Sequence, residues 1–266
     1  MFPPSNWNYN KIIAGSEESK YDFKYIAEFN FEIWMKKLKM EDFISINIDN
    51  YCEILCEKHV LYVETGSINL DNLSELRDII NEYSIKDKFM RLSYRSAKDT
   101  FEGRLPIKNV DQILTAIIKS ERCFDDMIAH IFNKCKKLYV NLIPFRECRQ
   151  ERELRCFIFE KKLVAITNQF PDDVWPFRGV EILIIQRIKE FVDSLWSQYD
   201  LYDSVVADIE MSEELTPYLI EFNPYGTKGS TSAILFDWNK DINVLFSKKK
   251  EIVLKYTRDK TKDIII

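Results

Sequence analysis

The strongest constraint on the fold is a pair of strand duplets late in the chain, separated by one long helical stretch. "ELRCFIF-EK-KLVAITN" (153–168) reads as two strands with a two-residue connection, although Glu160-Lys161 is not a preferred turn dipeptide. "SVVADIE-MSEELT-PYLIEFN" (204–223) reads as a second hairpin. Between them, "VEILIIQRIKEFVDSLW" (180–196) repeats apolar residues every three or four positions, placing Val180, Leu183, Ile184, Ile188, Phe191 and Leu195 on one face. The same spacing marks 72–83, with Leu73, Leu76, Ile79 and Tyr83 together, and 110–119, which a helical "FDDMIAHIF" follows. "FISINI" and "KLYVNLIPF" add strands upstream. Strand pairs mixed with helices in no strict βαβ order predict an α+β (mixed α/β) protein.

At 266 residues the chain is long for one simple core, so one large domain or two packed lobes is expected. No apolar run approaches the roughly 20 residues that cross a bilayer, which excludes a membrane-spanning helix. The opening "MFPPSNWNYNK" lacks the basic and apolar segments of a secretory signal, so a reducing, cytoplasmic setting is expected. The six cysteines (52, 56, 123, 135, 148 and 156) are then expected to be free thiols. Cys52, Cys56 and His59 in "YCEILCEKH" could be drawn as three zinc ligands. No second pair with metal spacing follows, and a spacing of four on a helix also describes a packed face. The net charge of −5 argues against nucleic-acid binding driven by overall charge. Local exceptions are "KKLK" (36–39), "KCKK" (134–137) and the tail "SKKKEIVLKYTRDKTK", which is basic and expected to be free to engage a partner.

Six glycines serve the whole chain, and two of them, Gly226 and Gly229, follow the second hairpin in "PYLIEFNPYGTKGS". Side chains alternate along a strand, so Glu221 and Asn223 share a face. A hairpin closed symmetrically about residues 214 and 215 puts Asp208 opposite Glu221. Two acids side by side repel unless something offsets them, and a hard divalent cation does so. Pro224 biases Asn223 toward extended backbone, and the glycines allow tight turns or a close backbone approach to a ligand. A solvated strand face carrying two acids is the plainer reading of the same spacing.

A second charged stretch, "FMRLSYRSAKDT" (89–100), sets Arg91, Arg95 and Lys98 among hydroxyl residues beside Asp99, a composition that suits phosphate oxygens. Arg155 stands mid-strand in "ELRCFIF", where an arginine faces either water or an anion in a cleft. Ordinary ion pairs with neighbouring acids are the alternative for each of these cations.

Taken in order, "RLSYRSAKD", the helix pair, "ELRCFIFEKKLVAITNQ", the long helix, "VVADIE", "LIEFNPYG" and "ILFDW" (234–238) resemble the cell division cycle protein 123 family. The family pattern runs roughly "KLNWSAPRDA", "EFRCFVxxNKLIAISQR", "DxY", "IDFNPFG" and "LLFTW". The opening "WMKKLKMEDFISINI" is similar to "WYPxFRxxTIKSVIIPL", so the likeness extends from about Trp34 to Trp238. It implies an ATP-grasp fold: a single unit over 1–266 whose two lobes, about 1–139 and 140–266, hold a nucleotide cleft between them. Residue by residue, it implies that Arg91 stands for a strand lysine that meets ATP phosphates. Lys98 stands for the arginine of "PRD", Asp99 matches directly, and Arg155 matches the arginine of "EFRCF". Asp208, Glu221 and Asn223 match the family's metal ligands, expected to hold Mg²⁺. The connection 141–147, with Phe145 and Arg146, would lie by the adenine. There are departures: Tyr94 replaces a tryptophan, "LIPF" replaces the hinge "LRKW", and Glu221 replaces an aspartate.

The resemblance implies an ATP-dependent assembly factor, a chaperone for the gamma subunit of translation initiation factor 2. In that role ATP shapes a protein-binding surface and need not turn over quickly. The alternative is an ATP-grasp ligase that activates a carboxylate or an RNA end. The arginine-rich "RLSYRSAKD", which departs from the family's pattern, keeps that alternative open.

Overall fold

A computed structural model describes residues 22–134, 136–229, 231–249, 251–258 and 261–265. The opening stretch 1–11, Cys135 and Ser230 lie outside the described residues. The chain divides into two compact units at Arg146/Glu147. That division leaves the strand before it whole, which a boundary at 139/140 would have cut.

The first unit is built on three antiparallel strands in the order β1-β3-β2: β1 (Ile44–Asn47), β2 (Lys88–Leu92) and β3 (Tyr139–Pro144). Alternation sends Ile46, Met90, Leu92, Val140 and Leu142 to one face, where all are buried. Two short helices precede β1, α1 (Phe23–Ala27) and α2 (Phe31–Lys37). Four more helices contribute to the buried core on the apolar side of the sheet: α3 (Cys52–Thr65), α4 (Ser74–Asn81), α5 (Val110–Lys119) and α6 (Glu121–Asn133). Local signals set their ends. The Asn109 side chain accepts from Gln112 N–H, the Ser120 side chain accepts from Cys123 N–H, and Gly66 closes α3 at φ 69°.

Cys52, Cys56 and His59 form part of that packed interior. Cys52 donates its thiol to the Ile48 carbonyl, and burial pushes its pKa up to about 12. His59 lies on the Phe124 ring with centroids 4.3 Å apart, and its Nδ1 sits 2.7 Å from the Ile118 carbonyl, so Nδ1 carries the proton. The spacing of four is a helix face against its neighbours.

The second unit is a six-stranded sheet in the order β7-β6-β4-β5-β8-β9. Its strands are β4 (Glu153–Phe159), β5 (Lys162–Asn168), β6 (Val205–Met211), β7 (Pro217–Asn223), β8 (Val253–Arg258) and β9 (Thr261–Ile265). The β4–β5 connection takes Glu160 to φ 47° and Lys161 to φ 64°, the left-handed pair of a type I′ turn. Two residues poorly suited to that geometry are held there from outside: Lys161 N–H donates to Asp203 O at 2.7 Å and Glu160 N–H to Ser204 Oγ at 3.1 Å. The tail expected to be free is part of the sheet instead. Its β8 pairs parallel to β5, with Thr167 opposite Lys255, and Thr257 O accepts from Trp175 N–H.

The long helix α7 (Glu181–Gln198) buries Ile184, Ile188 and Val192, and Trp196 meets Phe222 edge-on. The buried stripe is narrower than the sequence face, since Val180 and Leu183 stay exposed. On the opposite face of the sheet, Phe157, Ala165 and Val206 pack with Tyr225, Ala233, Phe236 and Leu245 from the segment that follows β7. That segment includes the short helix α8 (Ile242–Leu245).

The β6–β7 register contains a compensation. Near the turn Met211 faces Pro217 and Ile209 faces Leu219, an alignment that would bring Ile220 opposite Asp208. A bulge between Asp208 and Ile209 inserts one residue on β7, and Glu221 faces Asp208. Because a slip of one residue reverses every side chain, the bulge puts both acids on one face. After Asn223 the chain reverses through Gly226 at φ 83°. Gly229 then lies so close to Pro224 that an added Cβ would overlap the proline ring. The close approach expected at a glycine is thus to Pro224.

Two outcomes follow from this packing. Gly229→Ala should lower unfolding free energy by about 1–3 kcal/mol, the usual cost of overpacking, in urea denaturation; an unchanged midpoint would mean the Pro224 contact is absent. Asp126 accepts from Arg95 N–H at 3.1 Å and Arg95 Nε at 2.8 Å, yet burial outweighs the guanidinium and lifts its pKa to about 6. A folded-state value above the unfolded one means Asp126 favours the fold most below pH 4, and that contribution fades as pH rises through about 6. A carbon-detected NMR titration should find its midpoint near 6; a midpoint near 4 would show that the ion pair dominates.

Candidate functional site

The second unit brings one charged cluster together by strand register alone. Glu221, Asp208, Arg155, Thr167 and Lys255 occupy successive strands in a single row across β7, β6, β4, β5 and β8. Asn223 is two residues beyond Glu221 and faces Val206 on the same side. In this row Arg155 and Asp208 form a two-pronged pair: Nε to Oδ1 and Nη2 to Oδ2, both 2.8 Å. Their side chains are 7% and 2% exposed, so each charge depends on the other for compensation. The third guanidinium nitrogen, Nη1, donates to the Ser232 carbonyl at 2.7 Å. Asn223 Nδ2 donates to Asp208 Oδ2 at 3.1 Å and reaches Glu221 Oε1 at 3.5 Å.

Two carboxylates, Asp208 and Glu221, lie beside one another in this row. Burial pushes the Asp208 carboxyl above its ordinary range, Arg155 pulls against that, and the neighbouring Glu221 adds to the upward push. The guanidinium is held charged by Asp208, Glu221 and Glu153 in spite of burial. Beyond the pair on β6, Glu210 is also buried and accepts from Arg149 N–H at 2.9 Å. It lines a cavity of about 280 Å³ with Glu147, Arg149, Arg152 and Ser212. Among the described residues no group of three or more His, Cys, Asp or Glu side chains forms a metal-holding cluster.

Arg155 therefore stands in the row of acids and pairs with one of them, the alternative that the sequence left open for each of these cations. Register also reveals Lys255, which sequence reasoning left in an unstructured tail. Its Nζ is 2.8 Å from Asp241 Oδ1 and 4.3 Å from the Phe236 ring centroid. The alternation in "VLKYT" was the available signal, because Leu254 and Tyr256 are buried on the other face.

In the first unit, hydrogen bonds within the unit engage several of the named residues. Arg91 is buried on β2 opposite Asn141, with Nη2 donating to Tyr94 O at 2.9 Å and its guanidinium 5.0 Å from the Phe31 ring centroid. Arg95 is committed to Asp126. Lys98 is half-buried, and its carbonyl accepts from Arg104 Nε. Asp99 accepts from Ser120 Oγ at 2.7 Å and Arg122 N–H at 3.2 Å, which ties it to the start of α6. Phe145 N–H donates to Asp87 O at 3.0 Å, and Arg146 is exposed at the end of the unit.

Comparison with known proteins gives this arrangement its relatives. Residues 67–263 match the profile of the D123 family. A CDC123-like protein of Acanthamoeba polyphaga mimivirus is 24% identical over 270 aligned positions, covering 90% of this chain and 77% of the relative. The structure of Cdc123 from Schizosaccharomyces pombe superposes with a TM-score of 0.61 at 16% identity, covering 89% of this chain and 97% of that one. A C-terminally truncated form of the same protein gives 0.62, at 16% identity and with the same two coverages. The mixed α+β fold expected from sequence is the fold observed, Cdc123 shares it, and the chain belongs to the D123 family.

Proposed function

We propose that this chain is a cytoplasmic Mg-ATP-binding assembly factor for the gamma subunit of translation initiation factor 2. The observation that carries the nucleotide part is the registered set of Asp208, Glu221 and Asn223 around Arg155. The donor set fits a magnesium ion: two adjoining carboxylates and an amide. Asp208, Glu221 and Asn223 would hold the metal, which would relieve the repulsion between the two carboxylates and neutralise phosphate oxygens. Arg155 orients Asp208 through two hydrogen bonds and keeps the carboxylate fixed in the row. In the first unit, Arg91, Lys98 and Asp99 are the proposed nucleotide-binding residues, with Phe145 and Arg146 at the adenine.

The ligase reading loses its main support. It rested on surplus arginine in "RLSYRSAKD", and Arg95 is taken up by Asp126 and the Arg122 carbonyl. A nucleotide bound with little turnover accords with a factor whose output is a protein-binding surface.

Calorimetry with Mg-ATP tests the binding directly. Glu221→Gln is the informative variant, because Asp208 is also structural. It should keep the fold and weaken magnesium-dependent ATP affinity at least about tenfold, the loss of one charge-assisted contact. Equal affinity in wild type and variant removes Glu221 from the site. Asp208→Ala should instead destabilise the protein by about 3–5 kcal/mol, since it strands a buried guanidinium. For the assembly role, ATP consumption is measured alone, with RNA ends and with initiation factor subunits. Retention of the gamma subunit with slow turnover is expected; rapid turnover with RNA or a small acid would overturn it.

A further inference from the structure

The turn that follows β2 is fastened from three directions, and the Arg91 guanidinium is bonded to it. Leu92 N–H donates to Arg95 O at 2.8 Å, which closes residues 92–95 into a tight loop. Ser93 O accepts from Phe31 N–H of α2 at 2.8 Å, and Ser93 Oγ accepts from Tyr139 N–H of β3 at 2.9 Å. The third fastening is Asp126 of α6, whose Oδ2 takes Arg95 N–H at 3.1 Å and whose Oδ1 takes Arg95 Nε at 2.8 Å. Arg91 Nη2 donates to Tyr94 O at 2.9 Å. Tyr94 O and Arg95 N–H belong to one peptide group. One edge of that peptide is therefore held by the carboxylate, and the opposite edge holds Arg91.

We propose that Asp126 is a positioning residue for Arg91, acting through the Tyr94–Arg95 peptide that lies between them. A trans peptide is planar, so fixing the direction of its N–H fixes the direction of its carbonyl. A carboxylate on the N–H also polarises the group and strengthens the carbonyl as an acceptor. The Phe31 ring, 5.0 Å from the guanidinium, limits Arg91 on another side, and Phe31 N–H holds the same turn. A guanidinium aimed in advance meets an anion without losing its freedom at that moment. The inference deepens the nucleotide reading above, and rests on it for the identity of the anion that Arg91 would meet.

The device is open to titration. Besides Arg95, the charged or titratable groups around Asp126 are Arg122, Asp125 and Cys123 of α6, and Asp99 before it. Burial brings the Asp126 carboxyl up to about 6 against the pull of both arginines, while it pushes the Cys123 thiol up to about 12. Once protonated, Asp126 turns an O–H toward a guanidinium that has no acceptor to offer, and the hold on Arg95 weakens.

The test compares the full-length wild type with Asp126→Asn, which keeps the side-chain shape; Arg95 is 41% exposed, so water can take over its charge. In ¹⁵N spectra the wild-type Arg91 Nε–H signal should shift as pH crosses about 6, together with the Arg95 amide. In Asp126→Asn it should be displaced and no longer respond to that titration. An Arg91 signal that is the same in both proteins and indifferent to pH overturns the inference. Calorimetry with Mg-ATP adds a double-mutant cycle with Arg91→Met. Asp126→Asn should weaken binding about tenfold when Arg91 is present, the loss of one charge-assisted contact, and less than about twofold in Arg91→Met. An equal loss in both backgrounds, or none in either, overturns the inference, because Asp126 would then not act through Arg91. Should Arg91→Met not fold, or the wild type bind no Mg-ATP, the spectra decide the positioning role. The second of those results also ends the nucleotide reading on its own.

Discussion

A buried guanidinium and a buried carboxylate, clamped by two hydrogen bonds of 2.8 Å, set the terms for the second unit. Such a pair tolerates little error, because desolvation of either charge is repaid only by close geometry with the other. Three features of the chain provide that geometry. Strands β4 and β6 align Arg155 with Asp208, the bulge on β7 brings Glu221 alongside, and the returning loop supplies the Ser232 carbonyl for the remaining nitrogen. Slip β7 by one residue and Ile220 would face Asp208, taking the second acid to the side of α7.

Much of this was legible in the sequence because its signals are local. Alternation in "ELRCFIF", "KLVAITN" and "PYLIEFN" marked β4, β5 and β7 with the ends the structure gives them. The pairing of Asp208 with Glu221 also came out correctly, although for an incomplete reason. A symmetric closure about 214 and 215 reaches the same partner as the observed turn with its bulge, two departures that cancel. The left-handed turn at Glu160 and Lys161 was not readable from its residues, because Asp203 O and Ser204 Oγ, forty residues later, hold it. β8 escaped for a similar reason. Its residues read as part of a free basic tail, and only the parallel pairing with β5 and the contact with Asp241 explain how Lys255 is accommodated.

The basic stretch 89–100 shows what composition alone leaves open. Arginine beside hydroxyls suits a phosphate, but it equally suits carbonyls and carboxylates within the protein. Arg95 went to Asp126, and Asp99 secured the entry to α6 through Ser120 and Arg122. These are long-range choices between residues about twenty to thirty positions apart, and no spacing rule ranks them. Cys52, Cys56 and His59 present the same ambiguity, which their burial within α3 resolves in favour of packing.

The arrangement of charge along the sheet row supports a division of labour among its cations. Arg155 lies at the centre, spends all three nitrogens on Asp208 and Ser232, and so acts on any ligand through the carboxylate it orients. Lys255, two strands away, is spent on Asp241, which also accepts from Asp237 N–H and thereby fixes the far part of the covering segment. Both cations therefore hold the segment that covers this face of the sheet, Arg155 at Ser232 and Lys255 at Asp241.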